Sequence, residues 1–167
     1  MDDKPVTEER FWQIIEQSWS KVAPEVQQAR RNLLHNAVSE LDCQNLLNAL
    51  KEVVLVYEDQ IDDLRKPQLI EFDKILERKL FDIDREDIHK KHGGTVERFL
   101  FARSFIVLAG MEYYDAVIDD PCRVIPKLEA EEMSRSAKLY YYHKYDEEMP
   151  GTDISIETFS NKAGWPK

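Results

Sequence analysis

The sequence is poor in cysteine, in basic residues and in long apolar runs, and each of these shortages excludes a class of protein. Two cysteines, Cys43 and Cys122, cannot form the disulfide framework on which a small secreted domain depends. The N-terminal residues MDDKPVTEERFW are acidic where a signal peptide would be basic and then apolar. The apolar segment from Phe99 to Met111 is too short to cross a bilayer, and Arg103 interrupts it. We therefore expect a cytoplasmic protein with reduced thiols and no membrane partner.

Lysine and arginine are outnumbered, 23 against 33 aspartates and glutamates, which gives a formal net charge of −10. Proteins that bind nucleic-acid backbones use clustered Lys and Arg to release counterions. This chain has no such cluster, and Arg30-Arg31 and Lys90-Lys91 are isolated pairs, so we expect no nucleic-acid partner. Between Glu112 and Glu157 there are 12 Asp plus Glu against 5 Lys plus Arg, an excess that favours a basic partner or serves solubility alone.

Motifs of the common enzyme classes are also missing. The chain has only five glycines and no phosphate-binding loop, no Gly-x-Ser-x-Gly elbow, no paired-cysteine zinc spacing and no His-Glu-x-x-His. Neither cysteine has the sequence context of a nucleophile. We therefore predict no cofactor, and we leave enzymatic activity open while favouring a non-enzymatic function.

Length and composition favour a helical domain. A chain of 167 residues can bury one core and is too short for two domains of ordinary size. With 43% hydrophobic and 34% charged residues, rich in Leu, Glu, Lys and Arg, it favours helices over strands. We predict a mainly α, single-domain bundle of five to seven helices over residues 1–167. The alternation from Asp153 to Phe159 predicts a short strand or an extended strap within residues 150–167.

Capping residues and prolines predict the helix boundaries. Thr7 is predicted to cap the first helix, Pro24 to begin the second and Asp42 to cap the third. Asp120-Pro121 predicts the end of a central helix, because proline cannot continue helical hydrogen bonding. The segment from Leu128 to Glu148 is predicted to form a long final helix.

Arg103 interrupts a segment that is otherwise apolar on almost every helical face. Such a helix is normally buried, so Arg103 must either reach the surface or find a partner. Asp84 is predicted to cap a short helix with Asp87 at its third position, which would leave these acids in capping and surface roles. The alternative is a clamp of two hydrogen bonds from Asp87 or Glu86 to Arg103, which would fix the core or line a polar pocket.

Two groups of residues raise the question of a metal site. Glu86, His89 and His92 are spaced by three, so a helix would bring them to one face. A di-metal site in a helical bundle uses two Glu-x-x-His pairs, and the chain lacks a second. The four acids between residues 58 and 63 lack EF-hand spacing, and we interpret them as a solvated helix face. We predict no metal.

Residues 84 to 121 contain a specific pattern of acids, aromatics and glycines. The pattern consists of Asp84-Arg85-Glu86-Asp87-x-His89, Gly94, Phe99-Leu100-x-x-Arg103-x-Phe105-Ile106-Val107-x-x-Gly110, Tyr114 and Asp120-Pro121. It resembles the uncharacterised bacterial family catalogued as domain of unknown function 4240. Two further stretches are similar to that family's opening motif and to a tail seen in some members: Phe11-Trp12-x-x-Ile15-Glu16 and Ser160-Asn161-x-x-Gly164-Trp165.

This resemblance implies a compact, mainly helical, cytoplasmic bacterial protein with a family-like core at about residues 67–125. It brings no assigned activity. The chain departs from the family at Thr95-Val96-Glu97, where many relatives have an acidic pair just before the position of Phe99. An acidic site at that position is therefore diminished.

Two functional hypotheses follow. The first is a non-catalytic module that binds another protein, because tyrosines and acids near the end of the chain suit an interface. Its candidate contact residues are Glu131, Glu132, Tyr141, Tyr142 and Trp165, together with the group Asp84, Glu86, Asp87 and Arg103. An immunity protein that occludes a basic toxin domain would have this size and charge. The sequence leaves the oligomeric state open.

The second hypothesis is an enzyme or small-ligand-binding protein whose polar pocket lies at residues 84–103. The pocket would contain Asp84, Glu86, Asp87, His89 and Arg103, and the tail from Ser160 to Trp165 would close it. His89 or Asp87 would act as acid or base, and Arg103 would bind an anion. An accessible pocket lined by these groups would support this hypothesis, and a dry buried contact would contradict it.

Overall fold

The computed structural model of the protein describes residues 4–35 and 37–167. Within these residues the chain forms eight α-helices: α1 (Glu8–Ser18), α2 (Pro24–Asn32), α3 (Glu40–Asp62), α4 (Lys66–Asp82), α5 (Glu86–His92), α6 (Val96–Leu108), α7 (Met111–Asp119) and α8 (Ser136–Tyr145). The prediction of a mainly α, single compact domain is confirmed, with one helix more than the predicted range. None of the described helices is both long enough and apolar enough to span a bilayer.

The start of α1 is set by local signals. The Thr7 hydroxyl accepts a hydrogen bond from the Arg10 N–H at 3.2 Å, which satisfies one of the free donors at the helix N-terminus. The buried face of the helix consists of Phe11, Trp12, Ile14, Ile15 and Ser18. Just after the helix, Trp19 donates its indole N–H to the Leu108 carbonyl at 2.7 Å. This bond ties the end of α1 to the end of α6.

The cap of α3 differs from the prediction. Ser39 is the cap residue, and its hydroxyl accepts a hydrogen bond from the Asp42 N–H at 3.0 Å. The Asp42 carboxylate accepts one from the Ser39 N–H, also at 3.0 Å. Because this reciprocal arrangement satisfies two backbone donors, the helix begins three residues earlier than it would with Asp42 as the cap.

Helix α6 lies in the core. Thr95 caps it by accepting a hydrogen bond from the Arg98 N–H at 3.4 Å. All residues from Ala102 to Leu108 are buried, including Arg103 and Ser104. This part of the helix is therefore buried on every side, so the Arg103 guanidinium needs hydrogen-bond acceptors inside the protein.

Gly110 makes the turn between α6 and α7 with a φ of 113°, a conformation that other residues rarely adopt. A Cβ atom at this position would collide with the ion pair between Glu16 and Arg30. Arg30 also donates to the Ala109 carbonyl at 2.8 Å. The missing side chain thus lets α1 and α2 reach the α6–α7 turn.

The predicted long helix from Leu128 to Glu148 is wrong over its first part, since α8 covers only Ser136–Tyr145. Residues 124–135 form turns and no helix, yet several of their apolar side chains reach the core. The Ala130 N–H donates to the carbonyl of Phe101 on α6 at 3.0 Å. Because this backbone donor bonds across to another helix, the segment cannot use it for a helix of its own.

Residues 150–167, which we call the C-terminal strap, are irregular apart from one short 3₁₀ turn at Lys162–Gly164. Of the two predicted alternatives, a short strand or an extended strap, the strand is wrong, because no residue described in the structure belongs to a β-ladder. A strand needs backbone partners on a neighbouring strand. Here the Ile156 carbonyl instead accepts a hydrogen bond from the side chain of Arg103.

Candidate functional site

Arg103 is held by backbone carbonyls. Its Nη1 donates to the Leu80 carbonyl at the end of α4, and its Nη2 donates to the Ile156 carbonyl of the strap, both at 2.8 Å. The Thr158 hydroxyl lies 3.4 Å from Nη2. The guanidinium carbon is 5.0 Å from the centre of the Phe99 ring, in the geometry of a cation–π contact.

The charge of Arg103 persists despite its complete burial. Burial lowers the pKa of Arg103 to about 10, while the charges of Asp84 and Glu157 act in the opposite direction. The side chain is therefore cationic at neutral pH and depends on oxygen acceptors for its stability. Two of the three acceptors, from Ile156 and Thr158, belong to the strap. The site around Arg103 is complete only when the strap is docked.

Asp84 is the second anchor of the strap. Its Oδ1 accepts hydrogen bonds from the Trp165 indole N–H at 2.9 Å and from the Phe159 N–H at 3.3 Å. Its Oδ2 accepts one from the Asn161 N–H at 3.0 Å. Three donors satisfy this buried carboxylate, which forms no ion pair among the described residues. In return, the Asn161 side chain donates to the Phe81 carbonyl at 3.1 Å.

Glu86 and Asp87 do not reach Arg103, so the predicted clamp is wrong. Arg85 binds Asp87 through Nε–Oδ1 and Nη2–Oδ2 contacts of 3.0 and 2.5 Å. Glu86 pairs with Lys90 one turn later, at 3.1 Å. Arg85 is only two residues from Asp87, which favours this local pair, and the same guanidinium donates through Nη1 to the Ile118 carbonyl at 3.1 Å.

The predicted cap of the short helix is corrected as well. Helix α5 has Arg85 as its cap residue and begins at Glu86, so Asp87 is its second residue and Asp84 lies outside the helix. Asp84 turns inward to the strap because the strap offers it three donors, as described above.

Trp165 lies in an aromatic group. The centre of one of its rings is 4.4 Å from Phe159, 5.5 Å from His89 and 6.2 Å from Phe99. His89 and Phe99 are 5.0 Å apart and nearly perpendicular. The Nε2 atom of His89 is buried and has no hydrogen-bond partner among the described residues. His89 therefore serves as a packing ring beneath Trp165, and Trp165 pins the strap.

The residues of the predicted pocket lie in two separate places. Asp84 and Arg103 are buried beneath the strap, and Glu86 and Asp87 line an outer groove. The groove has a volume of about 390 Å³, and its walls include Arg85, Glu86, Asp87 and Asn161. Asp84 and Arg103 do not line it, because the strap covers both. The strap lies very close to the body here, since a Cβ at Gly164 would collide with the backbone of Asp84 and Arg85.

His92 belongs to a separate polar contact. Its Nε2 lies 2.9 Å from Oε1 of Glu129, a carboxylate that Arg98 also binds. This group joins the end of α5 to the segment before α8 and draws His92 away from any ligand set with Glu86 and His89. Among residues 4–35 and 37–167, no three His, Cys, Asp or Glu side chains are placed to hold a metal ion.

The candidate contact residues near α8 fall into two environments. Tyr141 is only 1% exposed and donates its hydroxyl to Glu147 at 2.6 Å, so its proposed role in an interface is corrected to a role in the core. Tyr142 is 50% exposed on the outward side of α8. Glu131 and Glu132 are exposed in the preceding turns.

Glu132 lies near the acidic end of α3. The pKa of Glu58 is raised by partial burial and further by the charges of Glu132 and Asp59. The structure gives none of these three carboxylates, nor Glu131, an ion-pair partner among the described residues. We call these four residues, Glu58, Asp59, Glu131 and Glu132, the α3 acidic surface.

A buried ionic cluster joins α4, α8 and the strap, and the sequence reasoning missed it. Asp73 and Glu77 are 2% and 5% exposed and lie one turn apart on α4. Lys138 of α8 pairs with both carboxylates, with an Nζ–Oδ2 distance of 3.6 Å to Asp73. Thr152 of the strap donates its hydroxyl to Glu77. Burial raises the pKa of Asp73 to about 6, against the opposing charge of Lys138.

One sequence signal pointed to this cluster. Asp73 and Glu77 follow directly after Phe72 and Leu76, which belong to the buried stripe of α4. Acids that border such a stripe fall within the width that a neighbouring helix covers. The sequence did not reveal that α8 would bring Lys138 to this position.

Comparison with protein-family models, with curated proteins and with solved structures found no match to this chain. The resemblance to domain of unknown function 4240 stays a prediction that rests on the residues quoted above. What the protein does has to be inferred from its geometry and its charge.

Proposed function

We propose that the protein is a non-catalytic module that binds another protein with a basic surface. The observation that carries this proposal is the α3 acidic surface, whose carboxylates form no ion pair within the part of the chain that the structure describes. The raised pKa of Glu58 reflects burial and the nearby charges of Glu132 and Asp59. A Lys or Arg supplied by a partner would relieve the repulsion between these carboxylates.

Helix α8 passes near these acids, since burial and the charges of Glu58, Asp62 and Asp59 raise the pKa of its Tyr140, and the helix also exposes apolar surface. Leu139 and Tyr142 are 55% and 50% exposed on its outward side. The same helix packs on α3, where Lys144 pairs with Asp62 at 3.6 Å. An aromatic and an aliphatic side chain next to like charges are typical of a surface that recognises an oppositely charged protein.

A basic toxin domain is one partner with the required chemistry, and neutralising it is the specific role that we propose. The size of the chain and its net charge of −10 support this role. Charge complementarity of this kind speeds association and favours basic partners over acidic ones.

An enzyme or ligand-binding pocket at residues 84–103 has less support. Asp84 and Arg103 are the groups that would bind a charged ligand, and the strap already occupies both. A ligand would have to displace the strap and replace its hydrogen bonds at Asp84 and Arg103.

The proposal is tested by affinity capture from the source organism with wild-type protein and two charge-reversed variants. Glu131→Lys/Glu132→Lys changes the α3 acidic surface, and Asp115→Lys/Asp119→Lys makes the same change of charge on exposed residues of α7. We expect a stoichiometric partner with a basic surface, whose affinity falls roughly tenfold or more in the first variant only. Absence of a stoichiometric partner, or an equal loss in both variants, would contradict the proposal.

A further inference from the structure

A second acidic surface lies on another side of the molecule, between α1 and the start of α7. It is a groove with a volume of about 720 Å³. The residues that define its character are Glu8, Glu9, Trp12, Glu16, Met111 and Glu112. Among the residues that the structure describes, neither Arg nor Lys lines it.

The four carboxylates of the groove differ in their pairing. Glu8 pairs with Lys79 at 2.6 Å, and Glu16 pairs with Arg30 at 2.5 Å. Glu9 and Glu112 are exposed and have no ion-pair partner within the part of the chain that the structure describes. They stand on α1 and α7, on the two elements that form the groove. Two carboxylates are thus available to cations that come from outside.

The molecule already binds one ammonium group at the edge of this groove. Lys79 Nζ lies 5.6 Å from the centre of a Trp12 ring and 5.5 Å from that of Tyr114, and its ion pair with Glu8 completes the contact. A carboxylate combined with aromatic faces is a favourable environment for a cationic side chain. The kind of contact that we assign to the groove, a carboxylate and an aromatic ring around a cation, therefore already forms within the chain.

The groove also offers apolar contacts. Met111 is 45% exposed at the first position of α7. Methionine is flexible and polarisable, so it adapts to side chains of different shape. Trp12 is 6% exposed, and its buried Nε1–H has no hydrogen-bond partner at normal distance among the described residues. The hydrogen bond from Lys79 and, to a smaller extent, the nearby Trp12 indole lower the pKa of Glu8.

We propose that the α1–α7 groove binds a basic segment of another protein in which an apolar side chain lies between two Lys or Arg residues. The cations pair with Glu9 and Glu112, and the apolar side chain rests on Met111. Charge complementarity selects this occupant, because carboxylates line both sides of the groove and would repel an acidic or phosphorylated segment. This site is separate from the α3 acidic surface, and its test needs no natural partner.

The probe is a synthetic peptide containing Lys-Lys-Leu-Lys-Lys, with a second peptide in which Ser replaces Leu. Binding to the full chain is followed through the indole N–H resonance of Trp12, which is assigned with Trp12→Phe. We expect a saturable shift of this resonance with the Leu peptide, and affinity about threefold to tenfold lower with the Ser peptide. The affinity should fall as salt is raised, because the charged contacts are exposed.

Matched variants locate the site. Glu9→Lys/Glu112→Lys should weaken the binding that Trp12 reports by roughly tenfold or more, whereas Glu131→Lys/Glu132→Lys carries the same net charge and should leave it within about twofold. Glu9→Gln/Glu112→Gln, a milder change, should give an intermediate loss and guards against misfolding of the reversed variant. Met111→Ala should weaken the Leu peptide and leave the Ser peptide unchanged.

Three results would overturn the inference. They are a Trp12 resonance that the Leu peptide does not shift, equal losses in the two charge-reversed variants, and equal binding of the Leu and Ser peptides. Equal losses would mean that net charge alone attracts the peptide. None of these results bears on the α3 acidic surface, whose partner capture is measured separately.

Discussion

The Asp84–Arg103 cluster, which consists of Asp84, Arg103 and Trp165, contains the same kinds of residue as the α1–α7 groove. The groove combines four glutamates and Trp12 with Lys79 at its edge. The charges of the cluster are buried and hydrogen-bonded, whereas two carboxylates of the groove are exposed. In the cluster, the C-terminal strap supplies donors to Asp84 and acceptors to Arg103, and both side chains are buried. In the groove, Glu9 and Glu112 stay exposed without a cation of their own.

The difference lies in what surrounds the charges. A buried charge without partners is very costly, so the fold exists only if the chain itself provides them. An exposed charge is stabilised by water and can exchange water for a partner at little cost. Substitutions in the cluster should therefore change stability, and substitutions in the groove should change binding.

The largest effect is expected for Asp84→Ala. The substitution leaves two backbone N–H groups and the Trp165 indole without their acceptor, and it removes a charge that favours the cationic form of Arg103. We expect the free energy of unfolding to fall by about 3–5 kcal/mol. Urea unfolding measures this loss, and Asp87→Ala, which removes an exposed pair with Arg85 and a local hydrogen bond from the Ile88 N–H, should cost less than about 1 kcal/mol. Similar losses in the two variants would show that the strap is not anchored at Asp84.

A second large effect concerns Asp73, in the buried cluster at the base of the strap. Its pKa is about 6 in the folded protein and 3.8 for an unperturbed carboxyl. Between these values the folded state binds more protons than the unfolded state, so the contribution of Asp73 to stability falls as the pH rises and stays low above pH 6. The loss amounts to about 3 kcal/mol at most.

The variant Asp73→Asn stays neutral and should lack this pH dependence. Above pH 6 it should be more stable than the wild type by up to about 3 kcal/mol, and below the pKa of 3.8 the two proteins should be similar. Urea unfolding across this pH range measures the difference, with the exposed Asp59→Asn as control. A variant that is less stable than the wild type above pH 6 would show that the pairing of Asp73 with Lys138 outweighs its burial.

A smaller effect is expected for Gly164→Ala. The new Cβ would collide with the backbone of Asp84 and Arg85, which should lift the end of the strap and cost about 1–3 kcal/mol. Gly151→Ala is the matched control, because a Cβ there meets nothing within 4 Å. Trp165 fluorescence should shift in the first variant alone. An unchanged spectrum would mean that the strap adjusts without leaving its anchor.

The smallest effect on stability belongs to the groove. Glu9→Lys/Glu112→Lys should change the free energy of unfolding by less than about 1 kcal/mol, since both side chains are exposed and unpaired within the described residues. The same urea measurement that separates Asp84 from Asp87 checks this. A loss as large as that of Asp84→Ala would erase the distinction between the cluster and the groove.

Local signals were sufficient to predict much of the helical framework. Thr7 caps α1, Pro24 begins α2, and Asp120-Pro121 follows the end of α7. The burial of the helix around Arg103 also followed from sequence, because the residues around it are apolar on almost every helical face, but the sequence left open whether Arg103 itself would reach the surface. These features depend on neighbours within one or two helical turns, and the sequence lists those neighbours directly.

The partners of the charged residues could not be predicted in the same way. Asp84 and Arg103 are both candidate site residues in the sequence, yet their partners Asn161 and Ile156 are more than 50 positions away. The nearby acids Glu86 and Asp87 suggested a clamp on Arg103, but Asp87 pairs with Arg85 instead. The spacing of residues in the sequence does not reveal which distant segment will pack against these side chains and supply the matching hydrogen-bond donors and acceptors.

The sequence by itself determined that the protein is a bundle of amphipathic helices around one apolar helix, because periodicity and capping act over a few residues. Only the tertiary structure decided which charges would be satisfied internally and which would stay open. It buried Tyr141 and exposed Tyr142, and it closed the strap over Asp84 while leaving Glu9 and Glu112 free of cations among the described residues. The physical reason is that burial depends on how distant elements pack, and burial sets the cost of every unpaired charge.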